Sequence, residues 1–220
     1  MIVAHPEIRT LLEIGNDYVN ELVIENQIFM RNLITDISNQ ISGEDGKAVL
    51  SIDNVPVEWE KYAEIISDYI PPELNRRSLI SKICACAEQK ALSGSYYMRS
   101  MEVLNGIEKY ITELCVDYPC NFNFTKLNIG SIIRSVGMQI ENDGTILEQL
   151  TDYMNLVRNF EQEKLFIILG MRNYFTDDEM ETFIETVLSH DFKLLLVEGT
   201  AKTKLKLTKR LIIDADLCEF

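Results

Sequence analysis

A chain of 220 residues with 46% hydrophobic and 25% charged side chains can bury one large core or two small ones, which excludes an intrinsically disordered polymer. A formal net charge of −14, from 35 acidic and 21 basic residues, opposes nucleic acid as a partner unless the basic side chains gather on one surface. No apolar run approaches the ~20 residues that cross a bilayer, and the opening MIVAHPEIRT lacks the basic and apolar blocks of a signal peptide, so a cytoplasmic protein without a membrane partner is expected.

Residues 3–14 and 18–25 read as strands on either side of the turn-like Gly15-Asn16-Asp17. Ile28, Phe29, Leu33, Ile34, Ile37 and Ile41 then recur at helical spacing and predict a helix over 27–41. Residues 48–52 turn through Asp53-Asn54 into Val55-Pro56-Val57 as a hairpin. The apolar stretch 63–70 reads as a strand that Pro71-Pro72 ends. Beyond the proline pair the texture becomes helical, over 78–92 and 97–118. The stripe Met101, Leu104, Ile107, Ile111 and Leu114 in the second predicts packing against another helix. Pro119 stops that helix, residues 121–127 read as extended, and 129–136 is a short helix ended by Gly137.

Thr145 with Glu148 predicts a capping box, opening a helix whose apolar face is Leu147, Leu150, Met154 and Val157. Residues 164–169 form a continuous apolar run, as a buried parallel strand requires. Thr176 with Glu179 predicts a second capping box, and 194–197 is the returning strand of a βαβ unit. Residues 211–213 read as one more strand. Both ends of the chain are thus sheet-forming and the middle is helical. This predicts a discontinuous α/β head, 1–72 with 164–220, and an inserted helical leg, 73–163.

The loop 170–175, GMRNYF, has one glycine, two bulky aromatics and no Gly-Lys-Ser/Thr, so it cannot cradle a triphosphate and no nucleotide is expected. Glu198, at the end of an apolar strand, reads as structural rather than as a magnesium ligand, and Asp214 and Asp216 read as a solvated strand end. With two histidines and no motif tying either to serine or cysteine, no catalytic triad can be argued, and the chain is not expected to be an enzyme. The five cysteines, at 84, 86, 115, 120 and 218, have no disulfide or zinc spacing and read as core or near-core residues.

The basic residues carry the remaining signal. Lys202, Lys204, Lys206, Lys209 and Arg210 crowd one short segment of an acidic chain. If 202–206 is extended, the first three share a face at roughly 6–7 Å spacing and can track duplex phosphates. A lysine-guarded strand edge accounts for them equally well. Arg31, Lys126 and Arg134 are further isolated cations near helix ends or loops.

The run from 132 to 199 contains IIRSVG, DGTILEQL, EKLFIIL, FTDDEM and KLLLVEG in that order, with weaker echoes in LVIEN, SLISKI and YITEL. In order and spacing these segments resemble the Csn-two family of type II-A CRISPR adaptation proteins, over most of the chain. The resemblance implies a P-loop-NTPase-like α/β head without a working P-loop, carrying a protruding helical leg. It further implies a homotetrameric ring whose basic hole threads the ends of double-stranded DNA, without catalysis, in CRISPR spacer acquisition and antiviral defence. The CRISPR integrase pair and the effector nuclease are the partners it implies. Arg134 sits where the family shows a basic residue; the cluster 202–210 matches no family pattern. The family also binds calcium at a dense acidic run after the long leg helix. Here the matching segment 115–124 is nearly free of acids, and Glu113 and Asp117 are the residues left to serve as metal ligands. The alternative reading is an acidic protein-interaction scaffold of the adaptation complex with little or no DNA binding.

Overall fold

The computed structural model describes residues 1–220 apart from Asn121, Thr125, Lys126 and Asn142. The candidate Lys126 and part of the expected extended stretch 121–127 therefore lie outside the described residues. The chain divides into two compact units, Met1–Glu73 with Gly144–Phe220, and Leu74–Asp143.

The first unit opens with β1 (Ile2–His5) and β2 (Ile8–Glu13), an antiparallel pair where one continuous strand is expected over 3–14. Pro6 lacks the N–H a ladder needs, and the His5 imidazole Nδ1 accepts from the Glu7 N–H at 3.2 Å, so the chain turns there. Next come β3 (Val19–Ile24), α1 (Gln27–Ile41), β4 (Val49–Ile52), β5 (Val55–Val57), the single-turn α2 (Trp59–Tyr62) and β6 (Ala63–Ile66). Helix α1 has the predicted bounds, and Asp53 and Asn54 both take the left-handed backbone that a tight β4–β5 hairpin demands. The strand expected over 63–70 ends at Ile66.

The second unit contains α3 (Arg77–Ala91), α4 (Tyr96–Leu114) and α5 (Ile129–Ser135). Helix α4 ends at Leu114, four residues short of the expected 118, with the Cys115 N–H closing its last turn onto the Ile111 and Thr112 carbonyls. Its apolar stripe is not buried as predicted: Ser100 is the only buried residue of α4, and Met101 and Leu114 are 36% and 61% exposed.

The chain returns to the first unit with α6 (Ile146–Phe160), β7 (Leu165–Leu169), α7 (Asp177–Ser189), β8 (Lys193–Glu198) and β9 (Thr208–Ile213). Helix α6, expected in the leg, groups with the sheet instead. Its buried stripe of Leu150, Tyr153, Met154 and Val157 needs a large apolar partner, and the Tyr153 hydroxyl donates to Glu64 on β6. Among the described residues the larger sheet is five-stranded and parallel, in the order β6-β7-β8-β3-β9, beside a four-stranded antiparallel sheet β2-β1-β4-β5. Leu22, Ile24, Ile167, Leu195 and Val197 on one face of the parallel sheet share a core with Phe29, Leu33 and Ile37 of α1, Val3 and Leu50 of the small sheet, and Trp59. Strand residues of the other parity, such as Phe166, Ile168 and Leu196, are equally buried on the opposite face, which α6 and α7 cover.

Both predicted capping boxes form. The Thr145 and Thr176 hydroxyls accept from the N–H of Glu148 and Glu179 at 3.3 Å, and each glutamate accepts back from its threonine's N–H. Those backbone bonds, then the side-chain contacts with the same threonines, hold both carboxyls below the usual glutamate range. Their contribution is present above the ordinary glutamate pKa and is lost as pH falls through the depressed folded value. Thr145→Ala and Thr176→Ala are each expected to cost about 1 kcal/mol, read as a shift in the urea midpoint at unchanged slope.

Candidate nucleic-acid interface

A buried carboxylate organises the C-terminal basic segment. All six residues of β3 are buried, Glu21 among them, and a charge there must find a partner. It finds two. Arg172, in the turn after β7, donates from an Nη atom to Glu21 Oε1 at 2.8 Å, and Arg210 on β9 donates from Nε to Oε2 at 2.7 Å. Arg172 also pairs with Asp177 at 2.7 Å. Burial works against its charge, but the bonds to Glu21 and Asp177 outweigh it and raise the guanidinium pKa. Glu198 accepts the Arg172 backbone N–H at 3.0 Å in a site whose burial raises its own pKa. Glu21 and Arg172 were not singled out from the sequence. The available signal was one acid in the middle of the otherwise uncharged run VNELVI.

This network determines what the predicted cations can do. Residues 202–206 form no strand: the chain bends at Thr203 and turns at Lys206 and Leu207, where Leu207 takes a left-handed backbone. The three lysines therefore do not form a strand face. The Lys202 ammonium donates to the Arg172 carbonyl, and Lys206 pairs with Glu181 at 2.7 Å. Arg210 also donates to the carbonyls of Lys202 and Thr203 at 2.7 and 2.9 Å, folding the loop onto β9. Lys204 projects into solvent, and Lys209 lies over the Tyr18 ring at 5.4 Å. Arg31 is exposed on α1, beside Asn32, Asp36 and Lys47 in a shallow groove. Arg134 is held by Glu88.

At the N-terminus of α1, where an α/β fold would place a phosphate cradle, two residues, Glu25 and Asn26, join β3 to the helix. The Asn26 side chain accepts the Phe29 N–H at 2.9 Å. A connection this short, with its first free N–H already capped, is not a phosphate-binding loop. Asp214 is likewise occupied, accepting from the N–H groups of Asp216 and Cys218 at 2.9 and 2.8 Å. Glu113 lies 3.9 Å from Lys109, and Asp117 is exposed. Among the described residues no three His, Cys, Asp or Glu side chains gather to hold a metal ion. The residues present therefore fall short of the six to eight oxygens calcium takes. All five cysteines are free thiols; Cys84 is buried and Cys115 half-buried, as the core or near-core reading expects, while Cys86, Cys120 and Cys218 are exposed.

Charge is divided unevenly between the two units. Leu74–Asp143 holds 8 basic and 7 acidic residues, the rest of the chain 13 and 28, so formal charges of +1 and −15 make up the −14. Within the helical unit the cations cluster further: Arg76, Arg77, Lys82, Lys90 and Arg99 face a single acid, Glu88, over residues 76–99. Leu79 and Cys84 turn α3 inward, leaving Arg77, Lys82, Gln89 and Lys90 exposed among Ser78, Ser81 and Ala85. Glu88 is turned away to Arg134 and is only partly exposed. Arg77 to Lys90 spans about 20 Å of helix axis; Lys82 and Lys90 lie within about 80° of each other around it, and Arg77 stands about 140° from both. Small side chains between the cations let a backbone approach closely. Lys90 and Arg99 also line a groove with Tyr96, over whose ring the Lys90 ammonium sits at 5.3 Å. Sequence reading passed over this face, although the five-to-one charge ratio was visible in it.

A family model described as CRISPR-associated protein (Cas_Csn2) matches residues 40–217. No curated protein matches the chain. Among solved structures, Stu0660 of Streptococcus thermophilus superposes with a TM-score of 0.57 at 12% identity, over 97% of this chain and 75% of that one. This likeness concerns the fold. A structure described as an ABC transporter ATP-binding protein of Pyrococcus furiosus reaches a TM-score of 0.38 at 10% identity, over 96% and 94% of the two chains, too distant to inform either fold or function.

Proposed function

The chain belongs to the CRISPR-associated Cas_Csn2 family, and from that membership we propose that it is a non-catalytic, ring-forming protein that binds ends of double-stranded DNA during spacer acquisition. The observation that carries the DNA-binding part is the charge division. An acidic sheet-bearing unit leaves the helical unit near neutral, and α3 carries the exposed cations Arg77, Lys82 and Lys90 while its one acid, Glu88, is turned to Arg134. We assign Arg77, Lys82, Lys90 and Arg99 as the principal phosphate contacts, with Lys204, Lys209 and Arg31 as accessory ones. Lys202, Lys206, Arg210 and Arg134 are engaged within the chain and contribute to the field rather than to direct contact.

The uncovered apolar side of α4, with Tyr110 and Leu114 both exposed by 60% or more and Met101 by 36%, supports self-association into a homotetramer. Among the described residues no three His, Cys, Asp or Glu side chains gather, which supports an assembly that forms without calcium. Among the described residues no helix is long and apolar enough to cross a membrane. The integrase pair and the effector nuclease remain the partners proposed for this role.

The test compares linear with covalently closed circular duplex of one sequence, across a salt series, with mass measured in parallel. A tetramer that retains linear DNA and not circles, with affinity falling steeply with salt, is the expected result. No retention of linear duplex at low salt overturns it. That outcome selects the scaffold reading, which the −15 of the sheet-bearing unit favours.

A further inference from the structure

We propose that the groove between α6 and α7 is a docking site for a cationic, amphipathic segment of a partner protein. The groove has a volume of about 690 Å³, within the range of sites that enclose several side chains. Ile146, Leu147, Phe175 and Phe183 give it an apolar floor, and Glu148, Asp152, Asp178 and Glu179 its charge. No lysine or arginine lines it.

The carboxylates are not all explained by helix capping. Glu148 and Glu179 are, since each is fixed in its capping box and favoured by the helix N-terminus. Asp152 is not: it lies one turn further along α6, past the reach of the dipole. It stands four residues from Glu148, a spacing at which like charges repel across one helix face. Neither Asp152 nor Asp178 makes an ion pair with any described residue. An incoming ammonium or guanidinium gives Asp152 and Asp178 a counterion, and the other two of its four acceptors, Glu148 and Glu179, are already rigid.

The chemistry selects the occupant. Nucleic acid is repelled, so this surface is separate from the DNA reading and stands whether or not that reading does. A bare metal ion is not accommodated, because among the described residues no three acidic or nitrogen ligands converge. A purely polar basic peptide leaves the phenyl floor uncovered, and a purely apolar one leaves the carboxylates desolvated and unpaired. A segment with lysine or arginine along one side and apolar residues on the other satisfies both.

The test uses the full chain and a labelled 14-residue lysine/leucine peptide of helical amphipathic pattern, beside a scrambled peptide of identical composition, read by fluorescence anisotropy. The patterned peptide is expected to bind at least about ten-fold more tightly than the scramble. Asp152→Lys/Asp178→Lys is expected to abolish that preference. Glu44→Lys/Asp45→Lys, an equal charge change in an exposed loop after α1, is expected to preserve it. Thr182→Trp fills the groove without altering charge and is expected to weaken binding as well; melting curves of every variant report its folding. Equal binding of the two peptides, no binding, or a wild-type response from both groove variants overturns the proposal. A change in the mass of the unliganded protein on groove substitution also overturns it, in favour of a second copy of this chain as the occupant.

Discussion

Glu21→Ala is expected to lower the stability of the protein by about 3–5 kcal/mol, the cost of leaving buried charge without its counterion. Removing the carboxylate deprives two guanidiniums at once: Arg210, 11% exposed, is left with two backbone carbonyls, and Arg172, 2% exposed, with Asp177. Neither can reach water without dismantling the turn after β7 or the loop that Arg210 holds through the carbonyls of Lys202 and Thr203. In a chain of this length the loss corresponds to a melting temperature lower by about 6–20 °C. Glu21→Gln keeps the shape and one acceptor and should fall between the two. Glu181→Ala, which removes the partner of the exposed Lys206, should leave the melting curve close to wild type, because solvent already screens that pair. A Glu21→Ala protein that melts with the wild type would mean that the network is not formed.

Neutralising the α3 face is the substitution with the largest expected effect on function. Arg77→Gln/Lys82→Gln/Lys90→Gln alters exposed positions of a 15-residue helix whose buried contacts run through Leu79 and Cys84, so folding should be retained. Each cation that meets a phosphate releases counterion on binding. Loss of three should therefore lower the slope of log affinity against log salt by about 3, whatever the DNA sequence. The same triple change at Lys202, Lys206 and Arg210 is expected to lower the slope by less, since those groups already donate within the protein. It should cost stability instead, through Arg210. An unchanged salt slope for the α3 variant would remove this helix from the interface.

The two sets of residues show what could be read from the sequence. Helix α1 and both capping boxes were legible to the residue, because each is written within fifteen consecutive positions by periodicity or by a threonine–glutamate spacing. The parallel βαβ unit was legible for the same reason. The partition of α6 was not: its stripe shows that it packs, but not against what, and Glu64, which receives the Tyr153 hydroxyl, is 89 positions away. Arg172 and Glu21 are 151 positions apart, and nothing in a single sequence joins them. The lysines at 202, 204 and 206 alternate as a strand would, yet the bend at Thr203 and the left-handed turn at Leu207 break the pattern. Their density drew attention to a segment whose charge is largely consumed. The sparser cations Arg77, Lys82 and Lys90 stay exposed on a helix whose one acid, Glu88, turns to Arg134.

The most direct measurement is photocrosslinking of the full chain to a linear duplex carrying bromodeoxyuridine, with adducts located by mass spectrometry under conditions where binding is complete. Adducts concentrated in peptides covering residues 77–99, few in the sheet-bearing unit and none at Asp152 or Asp178, are the expected result. Adducts confined to residues 1–73 and 144–220 would contradict the assignment of the duplex contact to the helical unit.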